Sequence, residues 1–359
     1  MLAAKPKPAA LADRLRARIA ANGPLTVEEY MQACLRDARE GVYAARAPIG
    51  AQGDFITAPE ISQIFGELLG LWAVSVWQSM GEPAAVTVAE LGPGRGTLMA
   101  DALRAWRAAP KFMQSASVAL VEASPVLAGM QQNTLVNTDV PLRWYGDLSA
   151  VPDGPLIVLA NEFLDALPIR QFVRRGGTWR ERVVATDDGG LVFAEGQAVA
   201  ITEQAPEGAI LETSPATDRL VRELARRAAR APLAALIVDY GHDESGFGDT
   251  LQAVRAHRFA DPLAAPGEAD LSAHVDFAAL KRSAEASGLN AHGPMPQGEF
   301  LLKLGLGIRR ERLLAKAAPS EKQAIASGAM RLVDPAQMGV LFKVVALTSI
   351  RLPAPPPFA

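Results

Sequence analysis

A single cysteine, Cys34, stands in 359 residues. It rules out an intramolecular disulfide and a cysteine-rich zinc site. The four histidines (His242, His257, His274 and His292) are scattered without short metal-ligand spacing, which argues against a dedicated metal centre. Net charge is also scarce, at −3, whereas a nucleic-acid partner usually leaves a basic footprint. Long hydrophobic runs are missing. The most apolar region, Ile64–Met80, is broken by Glu67 and Gln78 and is short for a bilayer, so a buried helix accounts for it better. Around Leu11–Ile19 there is no continuous apolar stretch of the signal-peptide kind. The arginine and alanine content there suggests a transit peptide, but Asp13 opposes it, and Leu11, Leu15 and Ile19 fit a helix that runs into the domain. The expected location is the cytoplasm, with no membrane insertion.

What is present is the balance of a folded chain, 49% hydrophobic against 21% charged. Residues 1–83 read as a helical extension packed on a core. Thr26-Val-Glu-Glu29 is a capping box, and Thr57-Ala-Pro-Glu60 repeats the pattern ahead of a helix from Ile61 to about Met80. From Val86 the period changes. Strands are expected at Val86–Leu91, Ser117–Glu122, Leu142–Tyr145, Leu156–Ala160, Ala235–Asp239 and Val340–Thr348, with helices at Leu98–Arg107, Pro215–Arg230 and Val275–Ser287. This alternation predicts an α/β fold, a Rossmann-like core over residues 84–350 around a largely parallel sheet. Strand-like runs around Gly176-Gly177 and Asp187-Asp-Gly-Gly190 predict β-hairpins inserted at about 169–195. An irregular segment is expected at about 241–270 and a loose, proline-rich tail at 351–359. The arginines of Arg219–Arg230 read as the wet face of an amphipathic helix.

The strand Val86–Leu91 runs into Glu90-Leu-Gly-Pro-Gly-Arg-Gly96. Glycines at a strand-to-helix turn let the backbone approach a ligand that a Cβ would exclude. The third glycine comes one residue earlier than in a dinucleotide fingerprint, and an acid precedes the first. A carboxylate there suits a cofactor with positive groups and no phosphate, such as S-adenosylmethionine. The expected cofactor contacts are therefore Glu90, Gly92, Pro93, Gly94 and Gly96. They are joined by Glu122, placed to accept from ribose hydroxyls, and Asp147, placed to accept from an adenine amino group. A bare tight turn with a surface acid is the competing reading.

Ligands in doubly wound sheets lie beyond the carboxyl ends of the strands. That places Asn161, Glu162 and Asp165, at the end of the fourth strand, beside the methyl donor as candidate catalytic groups. Glu162 and Asp165 are three apart, which sets them on one side of a helical turn. Paired carboxylates would grip a guanidinium bidentately. A helix start decorated with acids is the alternative. Further polar clusters, Gly53–Thr57, Glu212–Pro215, Asp239–His242 and Asp270–Asp276, each fit a cleft lining or an ordinary cap. Asp54, Phe55, Thr57, Asp239 and His242 are the candidate substrate contacts.

Taken together, Gly53–Ser62, Glu90–Leu98, Asn161–Pro168, Asp239–His242 and Gly248–Leu251 resemble the MidA family, over about Leu25 to Val345. One departure is Ala58, where that family more often has serine. The resemblance implies a class I S-adenosylmethionine-dependent methyltransferase fold with added helical and β elements. It supports Gly92, Gly94, Gly96 and Glu122 as cofactor contacts and Asn161–Asp165 as the active-site loop, and it implies that Gly53–Ser62 closes over the site. It also implies arginine methylation of a protein substrate, a subunit of respiratory complex I or similar. Eukaryotic members reside in the mitochondrial matrix. A cofactor-binding assembly factor without transfer activity, and a small-molecule methyltransferase, are the alternative functions.

Overall fold

The computed structural model describes residues 10–42, 57–255 and 257–359. Seven strands make the main sheet: β1 (Val86–Leu91), β2 (Ala116–Val121), β3 (Leu142–Tyr145), β4 (Leu156–Asn161), β5 (Leu233–His242), β6 (Leu289–Pro296) and β7 (Phe342–Ser349). Their spatial order is β6-β7-β5-β4-β1-β2-β3. The run from β5 through β4, β1 and β2 to β3 is parallel, and β7 enters antiparallel to β5 with β6 antiparallel beyond it. A two-residue strand, Val275–Asp276, adds in parallel at the end of β5. The central strands are buried on both faces, which is why β1, β4 and β5 read as near-continuous apolar runs. Within this sheet the chain enters at β1, steps outward to β2 and β3, then returns on the other side of β1 to form β4. The order reverses there, so the switch point lies between the carboxyl ends of β1 and β4.

The helix Gln63–Ser79 packs closely on the helix Thr97–Trp106 because two of its inner positions are glycine. A Cβ at Gly66 would lie 2.7 Å from Asp101 Cβ, and one at Gly70 would lie 2.7 Å from Ala102 Cα. Trp106 Nε1 donates to the Gly70 carbonyl at 2.9 Å through that gap. Phe65, Trp72, Trp106 and Phe112 are fully buried in the same core, each worth about 1.5–3 kcal/mol of burial. The expected cap at Thr57 differs. Ala58–Ile61 is a short helix of its own whose Thr57 side chain makes no cap bond, and Ser62 caps the long helix instead. Glu60 turns away from its own helix start and accepts a hydrogen bond from the Thr97 hydroxyl.

A second compact unit comprises residues 10–42, Leu167–Ala216 and Gly246–Ala273. The expected helical extension is therefore divided. The helices Leu11–Asn22 and Val27–Arg36 cluster with the inserted strands, while Gln63–Ser79 belongs with the main sheet. The predicted hairpins form a five-stranded sheet from Leu25–Thr26, Arg170–Arg175, Thr178–Asp187, Gly190–Val199 and Ile210–Thr213. The segment expected to be irregular supplies a small three-stranded sheet, Gln252–Arg255, Arg258–Ala260 and Asp270–Ser272. Leu11, Leu15, Tyr30, Met31, Leu35, Val184 and Leu271 fill its core. The Thr26–Glu29 capping box forms as expected, with both reciprocal bonds present. Gln171, fully buried, ties Glu212 and Asp249 together at 2.6 and 2.9 Å, and Asp249 also pairs with Arg182. The polar residues of Glu212–Pro215 and Gly248–Leu251 thus hold this unit together.

Two further expectations need correcting. The tail is anchored: Trp72 Nε1 donates to the Pro356 carbonyl at 2.8 Å, and Phe358 packs 5.8 Å from the Phe300 ring. Arg227 leaves the wet face of the helix Pro215–Ala228. It is 3% exposed and donates to the carbonyls of Leu148, Val151 and Pro152 while pairing with Glu223. Its spacing from Val221 and Leu224 places it on the inner face, and the three carbonyls offset the cost of burying its charge.

Candidate active site

Gly92, Gly94 and Gly96 all adopt left-handed backbone, with φ of 60°, 56° and 81°. Side chains there would be strained by roughly 1–2 kcal/mol each. At Gly92 a Cβ would also meet Phe163 Cδ2 at 2.8 Å, so the glycine is required by close approach as well as by φ. Pro93 contributes its carbonyl, which accepts from Gly96 N–H at 2.8 Å and closes the turn. Gly96 then caps the helix Thr97–Trp106.

Glu90 lies beneath this loop at the end of β1. It is 3% exposed, and its Oε2 is buried with no hydrogen-bond partner among the described residues. Burial, with the nearby Glu122 charge adding to it, holds the carboxyl well above the ordinary carboxylate range. A buried oxygen without a donor is costly, and a ligand that brings a positive donor removes that cost. Glu122 follows β2. Its Oε1 accepts from Ser124 N–H at 2.8 Å and its Oε2 from Gln131 Nε2 at 3.1 Å. Gln131, fully buried, also donates to the Gly94 carbonyl at 3.0 Å and accepts from Trp144 Nε1 at 2.9 Å. Sequence reasoning missed Gln131; its one signal is a polar residue four after Leu127, on the buried side of the helix Pro125–Thr134. Asp147, exposed beyond β3, caps the turn Leu148–Ala150 through Ser149 N–H at 2.8 Å.

The second loop follows β4. Its residues Asn161 to Asp165 do not start a helix, so the expected helical spacing is not what brings the acids together. Instead Glu162 sits at φ +50°, an uncommon conformation for a non-glycine residue, and the loop wraps around Asp239. One Asp239 oxygen, Oδ2, accepts from the backbone N–H groups of Phe163, Leu164 and Asp165 at 3.1, 2.8 and 3.2 Å, and Oδ1 accepts from Tyr240 N–H at 2.9 Å. Asp239 is fully buried and occupied by amides. It therefore shapes the loop, and the expectation that it contacts substrate gives way to this role.

Glu162 Oε1 accepts from Ala58 N–H at 2.9 Å and Asn161 Nδ2 at 3.1 Å. Burial, reinforced by Asp165, pushes the carboxyl up to about 7. Burial likewise raises Asp165 to about 6, against the lowering effect of a hydrogen bond with the Tyr240 side chain. Asp239 is raised well above its ordinary range, first by burial and then by Asp165. Asn161 Oδ1 and Asp165 Oδ1 are buried acceptors without a partner among the described residues. The loop thus gathers one fully buried carboxylate, Asp239, two half-buried ones, Glu162 and Asp165, and two unmet acceptor oxygens.

The remaining predicted residues take separate places. Thr57 precedes Ala58, whose N–H holds Glu162. Asp54 and Phe55 lie outside the described residues. His242 is half-buried at the end of β5, with Nδ1 2.7 Å from the Glu244 carbonyl. Asp276 caps the helix Phe277–Ala286 through Ala279 N–H at 2.7 Å. Among the described residues no group of three or more His, Cys, Asp or Glu side chains is arranged to hold a metal ion.

A glycine turn that a Cβ would fill, a partnerless buried Glu90 oxygen and a pre-oriented Glu122 fit a nucleoside cofactor bearing cationic groups. The comparisons agree. Residues 68–295 match the model of a family described as "Putative S-adenosyl-L-methionine-dependent methyltransferase". The chain is 41% identical to the mitochondrial protein arginine methyltransferase NDUFAF7 homolog of Drosophila melanogaster, covering 94% of this chain and 84% of that protein. It is 38% identical to the mitochondrial protein arginine methyltransferase NDUFAF7 of Homo sapiens, covering 92% and 81%. A solved structure from Burkholderia thailandensis, bound to S-adenosyl-homocysteine, superposes with a TM-score of 0.81 at 30% identity, covering 96% of this chain and 95% of that one. The fold is the Rossmann-like methyltransferase fold, the cofactor is S-adenosylmethionine, and the chain belongs to this family of S-adenosylmethionine-dependent methyltransferases.

Proposed function

We propose that this enzyme methylates a guanidinium nitrogen of arginine in a protein substrate. The observation that carries the reading is the loop after β4, where the carboxyls of Glu162, Asp165 and Asp239 are all raised and buried oxygens of Asn161 and Asp165 lack a donor among the described residues. A guanidinium supplies several N–H donors and a charge in one planar group, and it matches both needs. The cofactor supplies an electrophilic methyl group when bound. Asn161 Oδ1 and Asp165 Oδ1 accept from the guanidinium and fix its plane. Glu162 holds charge on the far nitrogens and provides an acceptor for the proton that the methylated nitrogen loses. Asp239 keeps the loop in shape from behind. On the cofactor side, Gly92, Pro93, Gly94 and Gly96 shape the cradle, Glu90 faces the cationic end, Glu122 takes the ribose hydroxyls and Asp147 the adenine amino group.

Names of the curated relatives support arginine as the acceptor and place those proteins in mitochondria. For this chain the proposed substrate is a protein, with a subunit of a respiratory complex as the first to try, and the proposed setting is the cytoplasm. Among the described residues no helix is long and apolar enough to cross a membrane.

Incubation with methyl-labelled cofactor and extract from cells lacking this protein should place label on a protein, recovered as methylarginine after hydrolysis. Asp165→Asn should cut that transfer roughly 100-fold while S-adenosyl-homocysteine affinity changes by less than about threefold. Label confined to small molecules or RNA would exclude the arginine reading. Cofactor binding with no transfer to any extract component would favour an assembly factor that binds without reacting.

A further inference from the structure

We infer that Gln131 is a positioning residue for the cofactor site, a side chain that locks the glycine loop to the ribose-binding acid. The inference rests on the reading of Glu122 as the ribose contact. Gln131 projects from the inner face of the helix Pro125–Thr134 and is fully buried. Three groups converge on it: Trp144 Nε1 at 2.9 Å, the Gly94 carbonyl at 3.0 Å and Glu122 Oε2 at 3.1 Å.

Chemistry fixes the direction of every bond. An indole N–H can only donate, so it selects the amide oxygen of Gln131. Both amide hydrogens are then committed, one to a carbonyl that can only accept and one to a carboxylate. An amide flip would set the NH2 against the indole donor and the oxygen against two acceptors, so this one orientation satisfies all three. The carboxylate of Glu122 is held at both oxygens, by Ser124 N–H and by Gln131. Its rotation is stopped before any ligand arrives. Through Gly94 the same amide also holds the turn, whose three left-handed glycines leave its backbone otherwise permissive. Such preorganisation lowers the ordering cost of binding.

Isosteric exchange separates this role from simple packing. Gln131→Glu keeps the volume but turns the donor face into an acceptor against Glu122 and Gly94, whereas Gln131→Met keeps the packing and removes the bonds. With S-adenosyl-homocysteine as the calorimetric probe, Gln131→Met should weaken binding roughly tenfold and Gln131→Glu clearly more, on the order of 100-fold. Steady-state KM for S-adenosylmethionine should rise in parallel while kcat at saturating cofactor stays within about threefold. Glu122→Gln, measured alongside, should weaken the same binding. If Glu122→Gln has no effect, the ribose reading itself fails. If Glu122→Gln weakens binding while both Gln131 variants bind normally, the positioning role is overturned. Equal losses in Gln131→Glu and Gln131→Met, with melting temperatures lowered together, would reduce Gln131 to a packing residue and also overturn it.

Discussion

The two loops that flank the switch point of the sheet solve the same problem in opposite ways. Both must turn sharply at the carboxyl end of a buried strand. The loop after β1 uses glycine at each left-handed position, so its conformation carries little intrinsic strain. The loop after β4 places a glutamate, Glu162, at φ +50°, which costs of order 1–3 kcal/mol. That cost is offset from behind, by one Asp239 oxygen gathering three successive amides. The first loop is permissive by composition and is ordered by Gln131. The second is strained by composition and is held by an aspartate 74 residues beyond its last acid. A loop that receives a cofactor needs backbone room. One that grips a reacting group needs a side chain at the tight position and therefore external support.

The largest expected effect tests the permissive loop. Gly92→Val forces a branched side chain into left-handed backbone and against Phe163. S-adenosyl-homocysteine binding should fall by roughly 100-fold or more, about 3 kcal/mol. Normal affinity by calorimetry would show that the turn does not need its glycine. Because Phe163 belongs to the second loop, the same variant should also lower transfer at saturating cofactor.

Removal of the support behind the strained loop should come next. Asp239→Ala strips the acceptor from the amides of Phe163, Leu164, Asp165 and Tyr240. Unsatisfied buried donors cost about 1–3 kcal/mol each, and partial relaxation or water entry leaves a net loss of about 3 kcal/mol. Denaturant unfolding should show the stability extrapolated to water falling by that amount, as a lower midpoint at an unchanged slope. A variant as stable as the parent would mean the loop stands without Asp239.

The smallest effect is in pH. Burial raises Glu162 to about 7 and Asp165 to about 6 in the folded chain, above the ordinary values near 4 of the unfolded one. Between those limits the folded state binds more protons than the unfolded state, so stability falls as pH rises from about 4 to about 7. Asp165→Asn removes one of these groups and should flatten that slope. A guanidinium draws the same groups into ionised form, so acceptor KM should fall as pH rises across 6 to 8. An acceptor KM that rises instead would remove the carboxylates from acceptor binding.

Much of the sheet was legible because buried parallel strands are written as dense β-branched and aliphatic runs. β1 and β3 match their predicted bounds, while β2, β4 and β5 differ by one to a few residues at their ends. β6 was invisible: Leu289–Pro296 contains a glycine and two prolines. Proline is tolerated there because β6 is the edge strand, where a missing ladder N–H faces no partner. Proline also misled at the tail, since its inability to join a helix or central strand says nothing about Trp72 waiting for the Pro356 carbonyl. Of the candidate site, the glycine loop and the acids Glu90, Glu122, Glu162 and Asp165 were readable from residue type at strand ends. Gln131 was not, since its one signal, a polar residue four after Leu127 on the inner face of a helix, does not say what it binds.

By itself the sequence determined the strand order of chemistry: an acidic glycine turn, then an acid after each of the next two strands, then a cluster of carboxylates after the fourth. Local φ preference and burial are properties of residue type, so they can be read in one dimension. The tertiary structure decided which acids remain available and which are consumed. Asp239 and Glu162 look alike in the chain, yet one is fully buried and occupied by four amides, while the other is half-buried beside unmet oxygens. Charge, desolvation and hydrogen-bond satisfaction depend on neighbours that lie tens of residues away, and only folding brings those neighbours together.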